Sequence, residues 1–321
     1  MMFKMAKSKN EETEKKEKFR WSYAVFVVIF LMIAAGIISG ILNVFSGGDY
    51  EESGNVAVIG IKGEIVSDDG DSFLSDDVSS STDIIELIEK AGSNPEIKAI
   101  IFEINSPGGS AVASAEIADA IKRTNKTTVA WIREVGASGG YWIASSTDYV
   151  VANRASITGS IGVIASYLEF DKFIDRYNIT YRRLISGKYK DIGSPFREMS
   201  GEEQEIFQKD LDSIRDYFID EVAKNRKMKK SDVEKLATGM FFLGAEAKSL
   251  GLVDELGGKQ EALSYIEKKE GITAELTEYK TETSLLDLLT KSFSKQSFYI
   301  GRGIGKSLTE TNTYNKLTIT S

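Results

Sequence analysis

The sequence contains no cysteine and no histidine among its 321 residues. Without cysteine, a thiolate nucleophile, a disulfide framework and a cysteine-ligated zinc site are all excluded. Without histidine, every acid–base scheme that depends on an imidazole is excluded, including the triad of serine, histidine and aspartate. If the protein is an enzyme, its reactive groups must come from serine, lysine, tyrosine or the carboxylates.

An excess of positive charge is also lacking, because 40 lysines and arginines face 48 aspartates and glutamates and the formal net charge is −8. A nucleic-acid-binding protein neutralises phosphates with clustered basic residues, often interleaved with aromatic ones. No such patch occurs here, and we expect no nucleic-acid partner. No repeat of solenoid length is present either, so the chain should hold one large domain or two small ones.

One long uncharged run interrupts this ordinary globular composition near the N-terminus. The residues from Tyr23 to Ser46 carry no charge, and about 20 apolar residues suffice to cross a bilayer as a helix. We therefore predict a transmembrane anchor over residues 21–46. A cleaved signal peptide is the alternative, but its apolar region would be only about 7 to 15 residues long.

The charges that flank this run predict its orientation. Lysines and an arginine precede it in residues 1–20, whereas acidic residues follow it. Cytoplasmic segments of membrane proteins are enriched in positive charge. The sequence thus predicts a single-pass protein of the plasma membrane with a cytoplasmic N-terminus, a short linker over residues 47–55 and an extracytoplasmic remainder.

After the linker, apolar runs typical of strands alternate with helical patterns up to about residue 282. Strands separated by helices indicate βαβ units and a mostly parallel sheet, that is, an α/β fold. From residue 283 the chain is rich in serine, threonine and lysine, which predicts a loosely held C-terminal tail over residues 283–321. The predicted strands are 56–65, 98–104, 127–133, 149–153 and 181–185, and the predicted helices include 83–91, 111–123, 201–224 and 231–237.

Three glycine-rich segments stand at the ends of predicted strands: Asn-Ser-Pro-Gly-Gly at 105–109, Gly-Ala-Ser-Gly-Gly at 136–140 and Thr-Gly-Ser-Ile-Gly at 158–162. Loops beyond the carboxyl ends of parallel strands line one crevice. Ser138 lies at a turn from strand to helix, where a hydroxyl can be exposed as a nucleophile. The alternative role for Ser138 is a helix N-cap, which serine often provides.

The first of these segments has the properties of an oxyanion hole. Its two glycines leave backbone N–H groups accessible, and an acyl-transfer enzyme needs such donors close to the developing negative charge. A simple type II turn at Pro107 and Gly108 would explain the same residues.

A serine hydroxyl becomes a good nucleophile only when a base removes its proton, and without histidine the strongest candidate base is lysine. Burial disfavours the ammonium form and lowers the pKa of a lysine, so that a neutral amine is available near pH 7. Lys188 and Lys190 both follow the predicted strand at 181–185. Either could equally be a solvated surface charge, and the residue pattern leaves the choice between them open.

Five motifs occur in a fixed order from Val56 to Lys269. They are Ser-Pro-Gly-Gly, Gly-Ala-Ser-Gly-Gly-Tyr, Thr-Gly-Ser-Ile-Gly-Val, Ser-Gly-x-Tyr-Lys-Asp and Ala-x-x-Leu-Gly-Leu-Val-Asp-x-Leu-Gly-Gly. Together they resemble signal peptide peptidase A, the protease IV family. The resemblance implies the α/β fold that Clp protease shares with crotonases, built of repeated ββα units and preceded here by one transmembrane helix. It also implies that residues 56–282 form a peptidase domain with a Ser-Lys dyad.

The resemblance assigns roles within that domain. It implies that Ser138 is the nucleophile and that Lys190 is the general base. Ser160 would orient the lysine amine, although it could also be only a turn residue. The backbone amides of Gly139 and Gly109 would form the oxyanion hole, with the preceding glycine as the alternative to Gly109. No metal or organic cofactor is implied.

The same resemblance implies that the substrates are apolar peptides, notably signal peptides already released at the membrane, and that the protein is a homo-oligomer. A crotonase-like acyl-CoA enzyme and a catalytically inactive membrane scaffold are the alternative functions. In the last motif region, Leu243, Ala247 and Leu250 are expected to belong to the core.

Overall fold

The computed structural model describes residues 26–39, 54–68 and 78–281. The predicted N-terminal segment 1–20 and the predicted tail 283–321 lie outside these residues, as does most of the linker. Helix α1, at residues 26–39, covers the centre of the predicted anchor. Among the described helices, none combines the length and the apolar character that a membrane span needs. Helix α1 belongs to a different compact unit from the one that spans Glu52–Thr281.

The larger unit alternates strands and helices along most of its length. Its described strands are β1 (Val56–Val66), β2 (Val78–Ser80), β3 (Ala99–Gly109), β4 (Thr127–Ala137), β5 (Tyr149–Ala152), β6 (Ile157–Gly159), β7 (Phe241–Leu243), β8 (Glu255–Leu256) and β9 (Leu276–Tyr279). Its described helices are α2 (Ser81–Ser93), α3 (Ala111–Arg123), α4 (Gly139–Ser145), α5 (Asp171–Arg176), α6 (Gly201–Asn225), α7 (Lys230–Leu236), α8 (Gly244–Ser249) and α9 (Lys259–Glu270).

The strands form a sheet in the order β2-β1-β3-β4-β5-β8, and all neighbours in this series are parallel. Strand β9 pairs in parallel with the first four residues of β1, and β6 pairs in parallel with the last residues of β4. Among the described strands, only β7 is antiparallel, and it pairs with β6. The predicted α/β fold with a mostly parallel sheet is therefore confirmed.

Central strands β1, β3 and β4 begin with nearly continuous buried runs, as expected for parallel strands covered on both faces. On one face, Phe102 and Ile104 pack with Tyr141 and the helices α2, α3, α4 and α6. Trp142 stacks on Phe218 of α6 with ring centroids 4.5 Å apart. The other face packs under α9, where Ile266 is buried. Each such side chain stabilises the fold by roughly 1.5–3 kcal/mol.

Most predicted elements are present with longer or shifted bounds, and one is wrong. The predicted strand at 181–185 is absent, because its residues are exposed and have no strand beside them. A strand forms only where its backbone groups can pair with a neighbour. In the last motif, Ala247 is buried as expected, whereas Leu243 is wrong as a core residue because its position in β7 leaves it about half exposed.

Residues 163–198, which we call the arm, connect β6 to α6 and contain only the short helix α5. Most of the arm is exposed. Its apolar side chains are exposed as well, among them Ile164, Leu168, Phe173, Tyr177, Leu184 and Phe196. Such a concentration of large apolar side chains is typical of a surface that contacts another molecule.

Candidate active site

Ser138 occupies the sharp turn between β4 and α4. Its backbone has φ 51° and ψ −121°, a region that residues other than glycine rarely adopt and that costs about 1–3 kcal/mol. The turn is held by hydrogen bonds on both sides: the Ser138 N–H donates to the Gly159 carbonyl at 2.8 Å, and its carbonyl accepts from Tyr141 and Trp142 N–H, both at 2.9 Å. The hydroxyl makes no capping hydrogen bond to α4. The Ser138 hydroxyl therefore does not cap the helix.

The Gly108-Gly109 segment lies directly against this turn. Gly108 has φ +104°, and a Cβ atom there would stand 2.7 Å from the Gly139 nitrogen and 2.9 Å from the Ser138 Cβ. A Cβ on Gly139 would stand 3.4 Å from the Gly109 nitrogen. Gly139 is the first residue of α4, so its N–H has no partner within the helix. The backbone nitrogens of Gly139 and Gly109 thus lie close to the Ser138 turn.

Two fully buried serines lie beside these loops. The Ser106 hydroxyl donates to the Gly63 carbonyl at 2.6 Å and accepts from the Gly108 N–H at 3.1 Å. The Ser114 hydroxyl donates to the Ser110 carbonyl at 2.8 Å. A Cβ on the neighbouring Gly139 would stand 2.2 Å from the Ser114 Oγ.

Neither serine was among the candidates that sequence reasoning selected. Ser106 lies inside a motif already chosen for its glycines, which was its only signal. Ser114 carries no signal in the sequence, because its role depends on a contact with another helix.

Ser160 lies in the third loop, next to the residue that supports the nucleophile. Strand β6 pairs Gly159 with Ala137, and the Gly159 carbonyl accepts the Ser138 N–H. Ser160 also has a positive φ, 51°. Its N–H donates to the Met240 carbonyl at 3.0 Å and its hydroxyl to the Gly239 carbonyl at 3.1 Å. The loops that carry Ser138 and Ser160 are therefore joined.

Lys190 lies on the arm, in a turn in which its own backbone N–H donates to the Gly187 carbonyl at 3.2 Å. Its side chain is exposed and makes no hydrogen bond or ion pair with the described residues. The structure thus brings Ser138, Gly109 and Gly139 together and joins Ser160 to them through its loop. It gives no hydrogen bond from Lys190 to Ser138 or Ser160.

The other candidate lysine has a firm partner. The Lys188 ammonium donates to both carboxylate oxygens of Glu202, at 2.7 and 2.6 Å. These hydrogen bonds raise the pKa of Lys188 above its usual value. Lys188 is consequently held in the charged form, which cannot accept a proton.

Beside Lys190, Asp191 belongs to a cluster of charges that includes Arg183, Arg197 and Glu203. The hydrogen bonds of Arg197 to Asp191 lower the pKa of that carboxyl group, so it stays ionised. Over the described ranges, no group of three or more acidic side chains is arranged to hold a metal ion.

Two models of known protein families match the sequence of this chain. The family model described as Peptidase family S49 matches residues 120–273, and the model described as Clp protease matches residues 69–165. Both matches include Ser138 and Ser160, and the first also includes Lys190. The fold is accordingly the α/β fold of Clp protease.

Relatives in three organisms carry protease names. A protein of Methanocaldococcus jannaschii named as a protease is 31% identical over 90% of this chain and 94% of its own length. A protein of Enterococcus faecium named as signal peptide peptidase SppA is 33% identical over 68% of this chain and 65% of its own. Protease 4 of Haemophilus influenzae is 31% identical over 76% of this chain and 38% of its own.

Proposed function

Because the chain belongs to peptidase family S49 and is a serine peptidase, we propose that Ser138 and Lys190 form its catalytic dyad. We further propose that its substrates are apolar peptides, notably signal-peptide remnants, cleaved at a membrane. The observation that carries the dyad is the strained Ser138 turn with the Gly139 and Gly109 amides beside it.

Ser138 has the properties of a nucleophile rather than of a structural residue. Its turn stores backbone strain that the surrounding hydrogen bonds maintain, and such strain is concentrated at functional sites. Its hydroxyl has no structural partner at the helix start. The Gly139 and Gly109 amides lie where negative charge would develop on a carbonyl oxygen attacked by Ser138, so they act as the oxyanion hole.

Lys190 is the general base, and the contrast with Lys188 supports this choice. Lys188 forms an ion pair with Glu202, which keeps it as a charged ammonium group. Lys190 has no such competing partner among the described side chains. A lysine accepts a proton only as the neutral amine, and that form requires surroundings that exclude water.

A homo-oligomer provides those surroundings. In one chain the arm leaves Lys190 exposed, together with apolar side chains of the same arm such as Leu184 and Phe196. Contact between copies would bury this apolar surface and remove the amine from water at the same time. Assembly therefore completes the site by placing Lys190 against Ser138, with the Ser160 hydroxyl oxygen accepting a hydrogen bond from the amine and so orienting it.

The reaction proceeds by acyl transfer. The neutral Lys190 amine takes the Ser138 proton as Oγ attacks the peptide carbonyl, and the two amides stabilise the tetrahedral oxyanion. The resulting ammonium group protonates the leaving amine, and the C–N bond breaks to give an acyl-enzyme. Water then attacks the acyl-enzyme with Lys190 again as base, which releases the acid product and restores Ser138.

Two features support peptides at a membrane as substrates. A relative from Enterococcus faecium is named as a signal peptide peptidase. The uncharged run over residues 21–46, of which α1 is part, would anchor the chain in the plasma membrane as a single span. The linker 47–55 then holds the extracytoplasmic domain 56–282 close to the place where released signal peptides lie.

The experiment measures hydrolysis of an apolar signal-peptide sequence by the full chain in detergent, across pH, for wild type, Ser138→Ala, Lys190→Ala and Lys188→Ala. Ser138→Ala and Lys190→Ala should each lose on the order of 10⁴-fold in rate, whereas Lys188→Ala should retain activity. The wild-type rate should rise with pH as the lysine loses its proton. Full activity in Ser138→Ala would refute the dyad.

The same samples separate the two alternative functions. Turnover of an acyl-CoA thioester without peptide hydrolysis would favour the crotonase-like reading. An assembled wild-type protein that cleaves neither substrate would favour the scaffold.

A further inference from the structure

Asp191, the residue that follows Lys190, is hydrogen-bonded to Arg197, which also binds Glu203. The Arg197 guanidinium donates to the Asp191 carboxylate through Nε at 3.0 Å and Nη2 at 3.2 Å, and to the Asp191 carbonyl at 3.0 Å. The same guanidinium donates to Glu203, with Nη1 at 2.8 Å and Nη2 at 2.5 Å. Arg183 also donates to the Asp191 carboxylate, at 2.6 Å. Arg197 therefore ties the Lys190 turn to the start of α6.

Glu203 is a rigid anchor for this tie. It is the third residue of α6 and completes a capping box with Ser200, whose N–H donates to the Glu203 carboxylate at 2.9 Å. The hydrogen bonds from Arg197 and from the Ser200 backbone lower the pKa of Glu203 to about 2. The anchor thus stays charged over the whole working pH range, and the long helix behind it fixes its position.

The burial of this cluster contrasts with the rest of the arm. The side chains of Asp191 and Glu203 are only 12% and 7% exposed, although the neighbouring residues 181–190 are all exposed. The second link from this turn to α6, Lys188 with Glu202, is more than half exposed on both partners. An exposed pair contributes little and a bidentate arginine pair contributes more, so the Arg197 clamp is the stronger link.

Resting on the proposed function, we propose that Arg197 is a positioning residue for the general base. By clamping Asp191 to Glu203, it fixes the backbone from which Lys190 extends. This role also gives a purpose to the aspartate of the Ser-Gly-x-Tyr-Lys-Asp motif, which the dyad leaves unexplained. Displacing a catalytic group by about 1 Å can cost on the order of 100-fold in rate. Holding the Lys190 backbone in place therefore has a large effect on the rate.

The first measurement compares kcat and KM of full-length wild type, Arg197→Gln and Arg182→Gln for the same peptide. Arg182 is an exposed arginine on the same arm with no partner among the described residues, and its variant should match wild type. Arg197→Gln should lose about 100-fold in kcat with KM changed little, and Arg197→Lys should recover only part because lysine lacks the planar fork. An unchanged kcat in Arg197→Gln would overturn the proposal.

The second measurement distinguishes positioning from general support of the fold. The rate of Ser138 labelling by a fluorophosphonate is measured for Lys190→Ala, Arg197→Gln and the double variant. If Arg197 acts through Lys190, adding Arg197→Gln to Lys190→Ala causes no further loss. A loss of equal factor in both backgrounds would show that Arg197 acts elsewhere. If Arg197→Gln does not fold, Asp191→Asn weakens the same clamp and takes its place in both measurements.

The outcomes also separate this proposal from the one on which it rests. If Lys190→Ala keeps the wild-type rate, the dyad is wrong. If Lys190→Ala is inactive while Arg197→Gln has wild-type kcat, the dyad stands and the positioning role is wrong.

Discussion

Ser138 and Lys190 lie in regions that differ sharply in burial. The turn of Ser138 is flanked by Gly108, Gly139 and Ser114, and all three are buried. The arm around Lys190 exposes its side chains to solvent, and Leu184 is fully exposed. In the proposed dyad, the nucleophile and its amides are thus built by one chain, whereas the proposed base lies on a surface that one chain leaves uncovered.

This difference indicates where control over activity can reside. A preorganised nucleophile and oxyanion hole stabilise a transition state without rearrangement, yet Ser138 stays unreactive until a neutral amine reaches it. In the proposed mechanism, covering the arm supplies that amine. Paired substitutions in the two regions test this difference.

Gly108 and Gly187 provide a matched pair, because their φ angles are +104° and +106°. A Cβ at Gly108 would collide with the Ser138 turn, whereas a Cβ at Gly187 meets nothing within 4 Å. Gly108→Ala should lose about 10²–10³-fold in kcat along with stability. Gly187→Ala should cost only backbone strain, about 1–3 kcal/mol. Kinetics and thermal unfolding of both variants check this, and equal losses would contradict the contrast.

Leu184→Asp tests whether the arm is an interface between copies. A charge placed where an apolar contact forms should cost about 2 kcal/mol, or roughly 30-fold in association. Oligomer size from sedimentation should fall and peptide hydrolysis should fall with it, while thermal unfolding of the separated chain stays the same. Thr180→Asp, at an exposed polar position of the same arm, is the control. Unchanged size and activity in Leu184→Asp would show that the arm is not covered in this way.

Ser106 and Ser145 are both fully buried serines, and only Ser106 holds the oxyanion loop. Removing either hydroxyl leaves buried partners unsatisfied and should destabilise the protein by about 1–3 kcal/mol. Ser106→Ala should in addition lower kcat, whereas Ser145→Ala should not, since its hydroxyl donates to Trp142 within α4. A similar kcat in the two variants would mean that Ser106 has no part in positioning the amides.

The smallest effect concerns the pH dependence of the stability that Glu203 contributes through the Arg197 clamp. Glu203 has a pKa of about 2 in the folded chain against about 4.3 when unfolded. Its stabilising contribution is therefore complete above about pH 5 and is lost as pH falls toward 2. Wild type should melt at a higher temperature than Glu203→Gln near neutral pH, and this gap should close on acidification. A gap that is constant with pH would contradict the assignment.

Sequence reasoning located the parts of the molecule that depend on local patterns. The runs that form β3 and β4, the spacing of α3 and the long α6 all follow from periodicity. The glycine clusters marked the loops around Ser138, because the sharp turn and the close approach of Gly108 leave little room for a side chain.

Features that depend on distant contacts could not be predicted in this way. The run at 181–185 has strand-like residues but no neighbouring strand. The choice between Lys188 and Lys190 depends on the ion pair with Glu202, and the importance of Ser114 depends on its contact with Gly139. None of these partners can be deduced from a spacing.

The most direct test of the dyad is to label the full chain with a fluorophosphonate, digest it and locate the adduct by mass spectrometry. We expect one adduct, on Ser138, whose formation is faster as pH rises and is greatly slowed in Lys190→Ala but not in Lys188→Ala. An adduct on another serine, or labelling of Ser138 at the wild-type rate in Lys190→Ala, would contradict the dyad.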